Sequence, residues 1–317
     1  MKPVPIKLFR FAPVAKPIKR AIFSGEIYDD KRVKEVLPKT HLWIITYKAD
    51  GIRCQLHKKG KTIRLFSDEA KRIRKVEPII EAARKLKADE VILDGELMLF
   101  KNGKNTHHQG VAGYVHSLKP ATREELQGLR YAFWDKLWFS GRACTHEPYL
   151  QRWNALPRIG AKFPMFIVRG KLVKVGEIEK ASKAIKSPEG FMIRSANSTY
   201  WQNNLLFKVK HTFDVDVVIG KIERTKGDAY VYHCFDRHGN YVGQTYAQTH
   251  TVAKVGDVIR VMVSKMYKHK DPKTGKEYFH WWSPIVKAKQ PALAKGLRGK
   301  RYADPQITFQ KIHEATI

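Results

Sequence analysis

Residues 46–54 read "TYKADGIRC". The β-branched and aromatic residues 42–47 ahead of Lys48 predict a buried strand that ends at this lysine. Gly51 then frees the backbone to turn. A lysine attacks as a nucleophile only when neutral, a state that burial and a neighbouring cation both favour. Arg53, across the turn, is the nearest candidate cation and a candidate phosphate ligand; Asp50 is a candidate to orient the turn. Standing alone, Lys-x-Asp-Gly is an ordinary solvated turn, so its meaning depends on what accompanies it.

Working outward, residues 62–67 alternate as a second strand. Pro78 opens a helical stripe through Ile79, Ile80, Ala83 and Leu86. "VILDGELMLF" (91–100) is a strand carrying Asp94 and Glu96 on one face. "YAFWDKLWF" (131–139) is an aromatic strand. "THEPYLQRWNAL" (145–156) carries a Thr cap, an early proline and helically spaced Leu150, Trp153 and Leu156. A short amphipathic helix spans 176–186. "EGFMIRS", beginning at Glu189, and "LLFKVK", holding Lys208 and Lys210, read as strands. "THHQG" (106–110) reads as a loop, and its adjacent histidines make a poor metal pair. Together these segments supply an amine nucleophile, carboxylates able to hold a divalent cation, and cations for phosphates. That set suits nucleotidyl transfer.

In order and spacing, "KADGIR", "LDGEL", "FWDKLWFSG", "EGFMIR" and "LLFKVK" resemble the motifs of the covalent nucleotidyltransferases, specifically the compact, phage-like ATP-dependent DNA ligases. "EPYLQRWNAL" is similar to a helix of those ligases. The resemblance spans roughly 40–290. It implies an α+β nucleotidyltransferase domain, with ATP-grasp-like antiparallel sheets and helices, over 1–211. It further implies an all-β OB-fold domain over 212–290, ahead of a basic tail over 291–317. It implies that Lys48 attacks the α-phosphorus of ATP, forming lysyl-AMP, and that the AMP passes to the 5′-phosphate of a nick in duplex DNA. By the same resemblance Glu96 contacts the ribose or a metal and Glu189 helps bind Mg2+ or Mn2+. Trp134 stacks on adenine, Lys208 and Lys210 hold the α-phosphate, and Arg53 binds nucleotide and nick phosphates. Three positions depart from the family pattern. Asp68 follows Ser67 where an arginine is usual, leaving Arg72 or Lys71 to contact DNA. Arg194 replaces the usual lysine among the nucleotide-binding groups, a fork in place of a point charge. Lys287 and Lys289 stand where arginines are usual. An RNA ligase or capping enzyme shares this chemistry and remains the alternative; a non-catalytic nucleic-acid binder on the same scaffold is the rival from another class.

Composition agrees with a polyanionic partner. The 317 residues hold 60 Lys+Arg against 30 Asp+Glu, a formal net charge of +30. These charges are spread along the chain and interleaved with aromatics, which favours nucleic acid over a membrane surface. Cys54, Cys144 and Cys234 lie far apart with no CxxC, which argues against zinc or a disulfide framework and for a reducing compartment. With the resemblance, that compartment is the cytoplasm of a bacterium or a virus-infected cell, a nucleus or an organelle. No stretch approaches the ~18 apolar residues of a membrane span. The position of Lys48 near the start implies that no extra N-terminal DNA-binding domain precedes the catalytic one, and a monomer is the simplest expectation. After residue 211 helical patterns vanish and short strands alternate with turns such as "RHGN" and "DPKTGK", as in a small barrel.

Overall fold

A computed structural model of the chain describes residues 37–67, 71–185, 190–202, 205–209, 213–224, 230–236, 239, 241–246, 253–263, 265–270, 277–282 and 285–289. The chain divides into two units, Met1–Lys210 and His211–Ile317. The first runs β1 (Trp43–Tyr47), β2 (Ile52–Lys59), β3 (Thr62–Ser67), β4 (Arg72–Ile73), α1 (Glu77–Arg84), β5 (Glu90–Lys101), β6 (Lys104–Asn105), α2 (His107–His116), α3 (Arg123–Gly128), β7 (Leu129–Phe139), β8 (Arg142–Ala143), α4 (Tyr149–Asn154), β9 (Met165–Ile167), β10 (Gly170–Val173), α5 (Ile178–Ala184), β11 (Phe191–Ser195) and β12 (Leu206–Val209).

Two sheets carry this α+β unit. The larger is ordered β4-β3-β2-β5-β7-β8, with β6 added to β5 and β9 parallel to β7. The smaller is ordered β10-β1-β11-β12 and is antiparallel throughout. Leu56, Leu65, Leu93, Leu97, Tyr131 and Phe133 turn one face of the large sheet onto α1, where Ile79, Ala82 and Ala83 are buried. In β1, Trp43 and Ile45 pack with Ile178, Phe191 and Ile193, while Ile44 packs on Tyr149 and Ala196 from the other side. Both faces of β1 are therefore covered, which is why its sequence is continuously apolar and does not alternate.

Lys48 lies in the four-residue link between β1 of the small sheet and β2 of the large one. The need for glycine at position 51 differs from the sequence expectation. Gly51 does not adopt a left-handed turn; a Cβ there would stand 2.1 Å from the carbonyl oxygen of Leu97. Gly95 is held to the same requirement, with Ala132 O at 2.4 Å from its would-be Cβ. Both glycines let backbones close together around β5.

The second unit is β13 (Phe213–Arg224), β14 (Tyr230–Phe235), β15 (Tyr241–Tyr246), β16 (Val258–Val263), β17 (Lys265–Lys270), β18 (Glu277–Trp282) and β19 (Ile285–Lys289). Its main sheet is ordered β15-β14-β13-β16-β19 and is antiparallel. The β17–β18 pairing extends the β16–β19 hairpin. A first strand between the second and fourth, with the third at one end and the last at the other, is the Greek-key order of an OB barrel. Asp216 and Arg260, opposite each other on β13 and β16, form a two-pronged ion pair at 2.8 and 2.7 Å. Among the described residues, no helix is long and apolar enough to cross a membrane.

Candidate active site

The link around Lys48 is anchored from several directions. Lys48 N donates to Gly190 O at 3.0 Å. Gly51 N donates to Glu96 Oε1 at 3.1 Å, tying the link to β5. Asn105 Nδ2 donates to Asp50 O at 2.8 Å, and His107 Nδ1 lies 2.6 Å from Asp50 Oδ2. Lys48 Nζ reaches Ala49 O at 3.4 Å. The lysine is half-buried.

Burial pushes the Lys48 ammonium down from its ordinary value, against the opposing pull of Glu96 and Asp50. Burial is the largest cause, one of the two that the sequence reading named. Burial also lifts Glu96, up to about 7, although Lys48, the Gly51 N–H and Arg53 favour its charged form. Lowering an amine's pKa raises its neutral, nucleophilic fraction.

Arg53 is held inside the site. Its Nε and Nη2 grip Asp94 at 3.1 and 2.7 Å, and Nη2 also reaches the Tyr200 hydroxyl at 2.9 Å. Tyr200 Oη in turn donates to Asp94 Oδ2 at 2.8 Å. The β5–β7 register slips here: Gly95 opposes Phe133 while Asp94 opposes Asp135, leaving Trp134 as the extra residue. Asp135 is fully buried and holds two arginines. Arg152 bonds it at 2.8 and 3.0 Å and Arg194 at 2.9 Å. The Arg194 guanidinium lies 4.3 Å from the Tyr149 ring centroid and 5.7 Å from that of Tyr200. Three guanidinium groups and two carboxylates thus form one internal network behind the lysine, with Tyr200 touching both halves. Arg53 and Arg194 stand in it as ion-pair members.

Trp134, two residues after Ala132, shares its face of β7. It packs with Ala49, Met98, Ala132 and Tyr47 in an apolar cluster that includes the residue next to Lys48. A flat apolar wall beside Lys48 suits a planar base. Lys208 sits half-buried on β12, opposite Met192. Arg72 is exposed on β4, where it lines a hollow of about 320 Å³ with Arg64, Arg74 and Lys75. Glu189 and Lys210 lie outside the described residues. Lys287 and Lys289 fall on β19, and their side chains lie outside them too. Among the described residues no three His, Cys, Asp or Glu side chains group as metal ligands. The Glu96 carboxylate fits a hydrated magnesium ion, which takes one or two carboxylates and completes its shell with water and phosphate oxygens.

Two segments depart from their sequence reading. "THHQG" is the start of α2, not a loop. Gly110 permits Thr106 to sit against the helix, since a Cβ would meet the Thr106 side chain at 2.4 Å, and Val111 and Tyr114 bury its inner face. The helix within 145–156 starts at Tyr149 after Pro148, and Thr145 accepts a bond from Tyr200 N instead of capping it. Asn105, His107, Arg152 and Tyr200 belong to the site but were not assigned roles from sequence; only the Arg152 motif carried a signal.

A family model described as an ATP dependent DNA ligase domain matches residues 27–210, more than half the chain. DNA ligase 1 of Korarchaeum cryptofilum is 28% identical over 193 residues, covering 58% of this chain and 35% of that protein. DNA ligase 2 of Methanosarcina mazei is 30% identical over 203 residues, covering 59% and 34%. A probable DNA ligase of Streptomyces avermitilis is 27% identical over 248 residues, covering 74% and 46%. The chain thus spans between a third and a half of the length of these curated relatives. Among solved structures, one titled "DNA binding with a minimal scaffold: Structure-function analysis of Lig E DNA ligases" superposes with a TM-score of 0.55 at 16% identity, covering 83% of this chain and 97% of that one. Another, "Pmar-Lig_Pre.", gives a TM-score of 0.62 at 14% identity, covering 84% and 66%. These likenesses are of fold.

Proposed function

Starting from a chain that belongs to the ATP-dependent DNA ligase domain family, we propose that it seals 3′-hydroxyl/5′-phosphate nicks in duplex DNA through a lysyl-AMP intermediate. The observation that carries the reading is the half-buried Lys48 in the link between the two sheets, a link that the Gly51 N–H ties to Glu96 Oε1 at 3.1 Å.

Glu96, with a pKa near neutrality, accepts the proton that the Lys48 ammonium sheds. The Lys48 amine then attacks the α-phosphorus of ATP. An N–P bond forms, the bond from that phosphorus to the bridging oxygen breaks, and pyrophosphate leaves with the electron pair. A 5′-phosphate oxygen of the nick next attacks the same phosphorus and breaks the N–P bond; the electron pair returns to the Lys48 nitrogen, which takes its proton back from the Glu96 carboxyl group. Finally the 3′-hydroxyl oxygen attacks the 5′-phosphorus, sealing the strand and expelling AMP. Trp134 would wall the adenine, while Lys208 would lie against phosphate oxygens. A divalent cation, held by Glu96 and by Glu189, would offset the negative charge of the triphosphate. The chain would act on DNA as a monomer.

Incubation with magnesium and ATP labelled at the α-phosphate, followed by a denaturing gel, tests the reading. Label is expected on the native chain and absent from Lys48→Ala. On a nick already carrying 5′-AMP, Lys48→Ala is expected to retain sealing, because the lysine's attack is then bypassed. Label from GTP in place of ATP would move the chain to capping chemistry, and label from neither would overturn the proposal.

A further inference from the structure

Asn105 and His107 grip one residue of the nucleophile's turn from two sides. The Asn105 amide takes the Asp50 carbonyl at 2.8 Å, and the His107 ring takes the Asp50 carboxylate at 2.6 Å. The clamp is itself braced, since Asn105 Oδ1 accepts from His107 N at 3.1 Å and Thr106 Oγ1 donates to Leu99 O at 3.0 Å. Both partners of this contact are shielded, with side chains 15% and 11% exposed. An ionised carboxylate only accepts, so the contact places a proton on His107 Nδ1.

The backbone adds a second observation. His107 has φ +58°, the left-handed region that a non-glycine residue occupies at a cost of roughly 1–3 kcal/mol. A residue one place into a helix has no local need of that conformation. It is the conformation that brings the ring of His107 and the amide of Asn105 onto the same target, 57 and 55 residues away in sequence.

Resting on the ligase reading above, we propose that His107, braced by Asn105, is a positioning residue for the first chemical step: it fixes the Asp50 carboxylate and thereby the line along which Lys48 meets the α-phosphorus. Asp50 is two residues from the nucleophile, in a link of four residues between two sheets. Rotation of Asp50 therefore displaces the lysine backbone. Its carboxylate also acts on the field at the amine, together with Glu96 from β5. Misplacement of about 1 Å in such a geometry can cost around 100-fold in rate.

The role is specific to the step in which Lys48 attacks, and the test uses that. Asparagine tolerates positive φ better than histidine, so His107→Asn removes the ring's reach while relieving the backbone. In single-turnover labelling with α-labelled ATP, H107N is expected to form protein–AMP about 10- to 100-fold more slowly at saturating ATP. The ATP concentration for half-maximal rate should stay within about two-fold, as expected when the loss is in the transition state. Sealing of a pre-adenylated nick and the melting temperature should match the native chain. The double variant Asp50→Ala/His107→Asn should be no slower than Asp50→Ala alone, because the two residues act as one unit. Labelling of H107N at the native rate, an equal loss on the pre-adenylated nick, or additive effects in the double variant would each overturn the assignment. Failure of the native chain itself to label would instead remove the ligase reading beneath it.

Discussion

Glu96 is where burial and function pull against each other. Its carboxylate titrates near 7 in the folded chain against an ordinary 4.5, with desolvation the largest cause. The folded protein therefore holds this proton more tightly than the unfolded chain does. The associated stability is fully present below about 4.5 and is lost as pH rises to about 7. Glu96→Gln keeps an acceptor for Gly51 N but cannot ionise. Its melting temperature relative to the native chain is expected to climb between those two pH values and then level off, as read from thermal melts across pH 4 to 9. Adenylation should behave oppositely, with E96Q labelling slowly at every pH because no carboxylate remains to take the lysine's proton. A flat difference in melting temperature across that range would show that the carboxylate ionises as freely as in water.

Between β5, β7, α4 and β11, stability rests on a network of buried charge. Arg152 and Asp135 are both 0% exposed and Arg194 is 6% exposed. Removing Asp135 leaves two guanidinium groups buried without their shared carboxylate, a kind of loss that typically costs about 3–5 kcal/mol. Asp135→Ala is expected to lower the free energy of unfolding by that amount in urea titration, whereas a cost under about 1 kcal/mol would mean that water enters and solvates the arginines. Arg194→Lys should keep the charge but lose the bonds to Ser198 and Thr199 that depend on the fork. The same elements show what sequence could and could not convey. Residues 91–100 and 131–139 were legible as strands because their apolar runs and β-branched content are local signals. The contact of β5 with β7, the one-residue slip at Trp134, and the meeting of Tyr200 with Arg53 depend on partners 30 to 147 residues away. Motif spacing singled out Lys48 and Glu96, since each is displayed at the end or middle of a strand. It gave no hint of His107, whose glycine-interrupted helix lacks a usable period and whose partner lies across the sheet.

At the scale of the whole chain, the proposed encounter with DNA would be governed by charge. A net +30 over 317 residues is unfavourable for a compact chain alone and favourable beside phosphates. Part of it is already committed: Arg53, Arg152 and Arg194 neutralise buried carboxylates, and Lys75 donates to the carbonyls of Tyr114 and Ser117 at 2.8 Å. Such residues contribute to the fold and little to the salt dependence of binding. Arg64, Arg72 and Arg74 differ, since they line one surface hollow at the β3–β4 edge with Glu77 as the acid among them. Each phosphate they neutralise releases condensed counterions and steepens the dependence of affinity on salt by about 0.9 in a log–log plot. Affinity for a nicked duplex is therefore expected to fall steeply between about 50 and 200 mM salt. Arg72→Ala/Arg74→Ala should weaken binding at low salt and flatten that slope by about 2, while leaving self-adenylation at the native rate. Arg152→Ala, by contrast, should unfold more easily without flattening the slope of the molecules that remain folded. Equal slopes for the native chain and the double variant would place the DNA-facing charge on another surface, because counterion release is proportional to the phosphates contacted and does not depend on how tightly the rest of the protein binds.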